Sequence, residues 1–497
     1  MGARRPLLLV ALALALAACA TQPLNVKLDR YDATAGYRYQ NLSADDNSDD
    51  LFVILAFSGG GTRAAAFSFG VMEALADVEY HAAGRPRRLL RDVDVIASVS
   101  GGSFTAAYYA LFPDTFFQKF PEEFLYRNIE RALIGRALRP WNWARLARSD
   151  FDRIHLAVEL YDETVFHGRT FGDLLASRRK PFTILNATDM TLGRRFEFTQ
   201  EQFDLLCSDV TKTKVAVGVA ASSAFPGVLS PLTLKSFAAD GCAFTPPEWL
   251  ETGLVREQNP LERYARARDL ASYLDPHQER RYIHLLDGGL ADNIGLRGPY
   301  VALKMGDTEW NVPARISAGA IRRVLVITAN AKTKPRQDWD RHASAPGLLD
   351  VLSFVASGPM DNYSFDTVQL IRNLFYEERQ AERARASCQR AMQKTCPDAR
   401  LEGELPVANY HAVELSFDAV GDERLRVCLE NLPTSFTLEE PQVNLLRQVG
   451  RVLLMGSREF RDVVRAIDPA WKPDERSVDP ELIAKACPEP ASQRVAR

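Results

Sequence analysis

Through about residue 330 the chain alternates short, nearly unbroken apolar runs with longer stretches of helical character. The runs fall at residues 51–57, 93–97, 181–188, 282–286 and 324–329. Apolar runs this short, bounded by Gly or polar residues, read as strands buried on both faces. The stretches 64–75, 104–111 and 215–224 read as helices; the third is built of small residues and breaks at Phe225-Pro226-Gly227. Strand–helix alternation predicts an α/β fold, a mostly parallel sheet covered by helices. Two stretches interrupt it. Residues 112–180 are rich in Trp, Phe and Arg and mainly helical, and 233–281 are polar and Pro-containing, with a helix over 261–274. Beyond 340 the pattern predicts a long charged helix at 377–394, a strand at 411–417 and an amphipathic helix at 443–455. The expected organisation is a leader at 1–20, a polar tether at 21–50 and a main unit at 51–335. A mainly helical extension at 336–497 would pack on that unit.

Composition narrows the function classes. With 497 residues and 46% hydrophobic content the chain can bury a large core. Its 61 basic and 64 acidic residues leave a net charge of −3, so nothing electrostatic points to nucleic acid as a partner. At the N-terminus, Arg4 and Arg5 precede an apolar stretch at 7–16 and then Leu16-Ala17-Ala18-Cys19. That stretch is too short for a permanent span and reads as a cleaved signal. The tetrapeptide resembles the bacterial lipoprotein cleavage box. The expectation is a lipidated Cys19 anchoring the protein in a membrane, and Ala20, not Asp, in the next position favours the outer membrane. The remaining six cysteines predict disulfides, with Cys207–Cys242 and Cys388–Cys396 closing short loops. No CxxC or His cluster has metal-site spacing, so no metal is expected.

Three strands run into Gly-rich turns, and these carry the chemistry. Ser98-Val99-Ser100-Gly101-Gly102 follows the second run and reads as a nucleophile elbow, in which small neighbours let a serine Oγ project from a tight turn. Ser58-Gly59-Gly60-Gly61-Thr62-Arg63 ends the first run and opens a helix. Backbone N–H groups of Gly59, Gly60, Gly61 and Thr62 at that helix start are candidate oxyanion donors. No Gly-Lys-Ser/Thr follows, which excludes a Walker A loop, and no Gly-x-Gly-x-x-Gly is present there. Arg63 is a candidate substrate contact. Serine needs a base, and no histidine lies in a Gly-rich turn; His284 falls inside a strand and is expected to pack in the sheet. Asp287 ends the fourth run before Gly288-Gly289. A desolvated carboxylate there can accept the hydroxyl proton, which favours a Ser100–Asp287 dyad over a triad.

With these residues the chain resembles the patatin-like phospholipases, bacterial lipoprotein type. Four blocks carry the likeness: Gly59-Gly60-Gly61-Thr62-Arg63, Ser98-Val99-Ser100-Gly101-Gly102, Ala220-Ala221-Ser222-Ser223-Ala224-Phe225-Pro226, and Asp287-Gly288-Gly289 with Asn293. Leu432-Pro433-Thr434-Ser435-Phe436 also looks like a segment of bacterial members. The resemblance implies a three-layer α/β/α fold, lipid acyl hydrolase activity, membrane lipids as substrates, a Ser–Asp dyad and neither metal nor cofactor. Ser98 stands where the elbow's first Gly is usual, and Ala64 where a Gly often follows the Arg. The alternative is a lipoprotein that keeps the fold to bind lipid or a protein partner without turnover. For the aromatic residues of 112–143, three readings stay open: an acyl channel above Ser100, a membrane contact, or the core of a helical insertion.

Overall fold

The computed structural model describes residues 24–488 apart from 44–46, 49, 83, 276, 278, 307–309, 335–338, 342 and 397–407. The expected leader, Cys19 included, lies outside the described residues.

An eight-stranded mixed sheet forms the middle layer of a three-layer α/β/α fold. In chain order its strands are β1 (Leu51–Phe57), β2 (Val93–Val99), β3 (Phe182–Asp189), β4 (Arg194–Glu197), β5 (Leu232–Lys235), β6 (Tyr282–Asp287), β7 (Arg323–Asn330) and β8 (Asn409–Ser416). Across the sheet they run β8-β7-β1-β2-β3-β6-β5, with β4 paired to β3. The five from β8 to β3 are parallel. Every residue of β1, β2 and β3 is buried, which is why these segments read as unbroken runs and not as alternations.

β6 is antiparallel to both β3 and β5. Its register still serves the site. Val99 pairs with Asn186 on one edge of β3, and Asp287 pairs with Ala187 on the other. The ends of β2 and β6 therefore flank β3 at adjacent residues, about two strand spacings, or ~10 Å, apart.

The helices that matter for the site are α1 (Gly61–Asp77), α2 (Gly101–Leu111), α3 (Ile129–Ala137), α4 (Pro140–Leu146), α5 (Val215–Ser222), α6 (Gly289–Asp292), α7 (Leu348–Thr395) and α8 (Glu440–Gly456). The chain beyond 340 is built into the same body. It supplies edge strand β8 and lays α8 against α1 at a glycine crossing: a Cβ on Gly70 would stand 2.1 Å from the Arg447 carbonyl oxygen.

Several expectations are corrected. The tether is largely folded: Asn25, Tyr37, Arg38 and Tyr39 are buried, and the Tyr37 hydroxyl donates to the Thr183 carbonyl at 3.1 Å. Polar composition masked a segment in which Tyr37 and Tyr39 pack against Phe182. The charged helix starts at Leu348, not near 377. β5 overlaps the start of the stretch expected to interrupt the sheet, because four residues make too short a pattern to stand out. Cys207–Cys242 is bonded as expected, with Cα atoms 5.6 Å apart. Cys388 and Cys396 are free: Cys388 lies two turns before the helix ends at Thr395 and Cys396 just past that end, which sets their Cα atoms ~12 Å apart; Cys428 pairs with Cys487 instead. Among the described residues no helix is long and apolar enough to cross a membrane.

Candidate active site

Ser100 links β2 to α2 with φ +49° and ψ −120°, a left-handed conformation that a non-glycine residue rarely holds. The backbone there is crowded. A Cβ on Gly101 would stand 1.9 Å from the Gly61 carbonyl oxygen, and one on Gly102 would stand 2.7 Å from the Phe57 Cβ. Only glycine lets the two helix N-termini approach this closely, which gives the small residues of the elbow their physical reason.

A line of buried hydroxyls backs the turn. The Ser100 N–H donates to the Ser222 Oγ at 2.8 Å. The Ser222 and Ser103 hydroxyls lie 2.9 Å apart, Ser103 donates to the Ser98 Oγ at 3.1 Å, and Ser98 donates to the Ile184 carbonyl at 3.1 Å. Each hydroxyl has one proton. With Ser103 spending its own on Ser98, Ser222 donates to Ser103, and all the donors run one way into β3. Ser98 therefore fills the place of the elbow's first Gly with a working hydrogen bond.

Asp287 is 2% exposed and Ser100 6%. The Gly289 N–H donates to the Asp287 Oδ1 at 2.8 Å. Burial pushes the carboxyl up from 3.8 to about 6, against the Gly289 hydrogen bond and the Ser100 side chain beside it, both of which favour the ionised form. Residues 222–224 hold this turn as well as the elbow: the Asp287 N–H donates to the Ala224 carbonyl at 3.0 Å and the Gly288 N–H to the Ser222 carbonyl at 3.1 Å. The Ala-Ala-Ser-Ser-Ala block is thus the bracket between the serine and the aspartate. Sequence reasoning marked the block but missed Ser222 as the residue that joins the two turns.

The glycine loop divides its donors. The Gly59 N–H is taken by the Asn293 carbonyl at 3.1 Å and the Thr62 N–H by the Ser435 carbonyl at 2.8 Å. Of the four expected donors, the N–H groups of Gly60 and Gly61 are the two with no protein acceptor among the described residues. Gly60 and Gly61 have φ of +136° and +59°, and a Cβ on Gly61 would meet the Ser435 carbonyl oxygen at 2.2 Å.

Arg63 does not face a substrate. It is buried, and its guanidinium donates to the carbonyls of Ala331 and Leu432 and to the Thr434 Oγ1 at 3.0, 2.8 and 2.9 Å. It fastens the segment 432–436 against the glycine loop. His284 is exposed and bonds Thr233 Oγ1 at 2.9 Å; it is not packed in the sheet, because its position faces solvent on the β6–β5 ribbon.

Residues 55–300 match the family model of the patatin-like phospholipases. The chain carries a patatin-like phospholipase domain. The match runs from the end of β1 through the elbow and the Ser222 bracket to the Asp287 turn, and it supports lipid acyl hydrolase chemistry in general terms. No curated protein matches the chain. Among solved structures it is similar to human GIVD cytosolic phospholipase A2, at 13% identity and a TM-score of 0.33 over 63% of this chain and 52% of that one. It is also similar to VipD from Legionella pneumophila, at 11% identity and a TM-score of 0.30 over 92% of this chain and 73% of that one. The chain thus spans about half the length of the human phospholipase.

Proposed function

We propose that the protein is a membrane-tethered serine hydrolase that cleaves fatty-acyl esters, phospholipids or lysophospholipids, through Ser100 and Asp287. The observation that carries this reading is the buried Asp287 carboxylate, raised to about 6 beside a serine held in a strained turn. At neutral pH such a group is ionised, yet basic enough to take a hydroxyl proton.

In the reaction the Ser100 Oγ attacks the ester carbonyl as its proton passes to Asp287. The oxyanion forms toward the Gly60 and Gly61 N–H groups, where the start of α1 favours negative charge. Collapse expels the alcohol, which takes the proton from Asp287 and leaves the acyl group on Ser100. Water then gives a proton to Asp287 and attacks the acyl ester; when the second tetrahedral species collapses, the fatty acid leaves and the Ser100 Oγ recovers its proton from Asp287. An alcohol in place of that water would make the same site an acyltransferase. The leader pattern supports a lipid on Cys19 and an outer-membrane location. Exchanging Cys19 for Ser should then release the protein from the membrane fraction with activity on soluble esters intact.

An irreversible organophosphonate tests the reading. It should add to Ser100, located by peptide mass spectrometry, and Ser100→Ala should take up none. Folded protein that forms no adduct would favour a lipid-binding role without turnover.

A further inference from the structure

Helices α3 and α4 form a hairpin whose polarity is inside out. α3 buries only Ile129; Ile134 and the capping residue Leu138, four positions apart, turn their apolar side chains to solvent, with Arg131 exposed one turn before Ile134. Ile134 is 60% exposed and Leu138 65%. In α4 the sole buried side chain is Asn142, whose amide donates to the Arg136 carbonyl at 2.8 Å. The tryptophans on either side of it point out, Trp141 63% exposed and Trp143 59%. The Trp143 Nε1–H is spent on the Ala137 carbonyl at 3.1 Å, so the indole presents its apolar surface outward.

The charge around this surface is local. Residues 127–153 hold seven arginines against three carboxylates, in a chain whose net charge is −3. Arg131 and Arg139 are exposed, and the Arg139 guanidinium lies 5.7 Å from the Trp141 ring centroid. Exposed indoles among arginines match the boundary of an anionic bilayer, where aromatic rings enter the headgroup layer and cations meet phosphates. The hairpin also stands near the candidate site. The Ile129 N–H donates to the Phe436 carbonyl at 3.2 Å, and Glu130 accepts the Phe436 N–H at 2.8 Å. The adjoining Ser435 carbonyl is the one that holds Thr62 of the glycine loop.

We infer that the α3–α4 hairpin is a docking element for an anionic phospholipid bilayer, entering the headgroup layer with Ile134, Leu138, Trp141 and Trp143 while Arg131 and Arg139 meet lipid phosphates. It brings the bilayer to the end of the sheet that carries Ser100. Vesicle binding is read without turnover, so its failure is distinct from failure of the hydrolase reading.

The test uses the full chain carrying Cys19→Ser, so that no lipid anchor contributes. Its partition is measured on vesicles of phosphatidylcholine alone and of phosphatidylcholine with phosphatidylglycerol in equal parts. The unaltered hairpin should favour the anionic vesicles, and added salt should weaken that preference. Trp141→Ser with Trp143→Ser should lower partition by about tenfold or more, with the melting temperature and the hydrolysis of a short soluble ester unchanged. Arg131→Glu with Arg139→Glu, which alters only exposed side chains, should remove the preference for anionic vesicles and decides the matter if the tryptophan variant unfolds. Equal partition of the arginine variant and its parent overturns the inference. So does a concentration-dependent dimer that the tryptophan changes dissolve, since a second copy would then be the occupant.

Discussion

The Ser100 amide and the Ser222 hydroxyl lie 2.8 Å apart, and this hydrogen bond ties the nucleophile's turn to the segment that also holds Asp287. Ser222 accepts from Ser100 through its side chain and from Gly288 through its carbonyl. The separation of serine and aspartate is thereby fixed by one residue that has no part in the proton transfer itself.

Ser222→Ala should leave the Ser100 N–H buried without an acceptor and remove the first member of the hydroxyl line. The expected cost is about 1–3 kcal/mol of stability, with kcat lowered by about tenfold or more as the elbow loosens. Urea unfolding and ester hydrolysis check both. Unchanged kcat would separate Ser222 from the positioning of Ser100.

Arg63→Gln should be a stability defect before it is an activity defect. Its bonds to Ala331 and Leu432 are buried and that to Thr434 partly so, and their loss should cost about 2–4 kcal/mol. An arginine that met substrate headgroups would instead raise KM and leave the melting curve alone.

Asp287 links folding to pH. Its carboxyl is raised to about 6 in the folded protein against 3.8 in the free side chain, so the native state binds the extra proton between those values. Stability therefore falls as pH rises from about 4 to 6, by about 3 kcal/mol in total. Asp287→Asn has no such titration. Relative to wild type the variant should gain that amount across the window and nothing further above it, as read by urea unfolding at a series of pH values. A difference independent of pH would mean that the carboxylate is not desolvated.

Ser100 stores strain in its left-handed backbone. Ser100→Gly should unfold later than Ser100→Ala by about 1 kcal/mol, although both lack the nucleophile. Equal melting of the two would mean that the turn is relaxed.

The sheet's central strands were legible because each is buried on both faces and so leaves an unbroken apolar run. The Gly-rich turns were legible because close backbone approach excludes a Cβ. What the pattern hid was relational. The antiparallel course of β6 is set by pairing with β3, and nothing in residues 282–287 encodes it. Arg63 reads as a surface cation until its acceptors, 268 to 371 residues away in sequence, fold over it. Gly59 and Thr62 lose their N–H groups to Asn293 and Ser435 in the same long-range way. The polar tether misled for the opposite reason: Tyr37 and Tyr39 are two of only three aromatic residues in a polar stretch, yet they hold it to the sheet.

The central claim is that Ser100 and Asp287 together cleave fatty-acyl esters. The most direct measurement is the pH dependence of kcat/KM for a fatty-acyl ester in wild type, Ser100→Ala and Asp287→Asn. The account predicts an acid limb in wild type with an apparent pKa near 6, from ionisation of Asp287 in the free enzyme. It predicts loss of hydrolysis in Ser100→Ala and a fall of about a thousandfold or more in Asp287→Asn, with no such limb in its residual rate. Wild-type rates in either variant, or an acid limb near 6 that persists in Asp287→Asn, would contradict it.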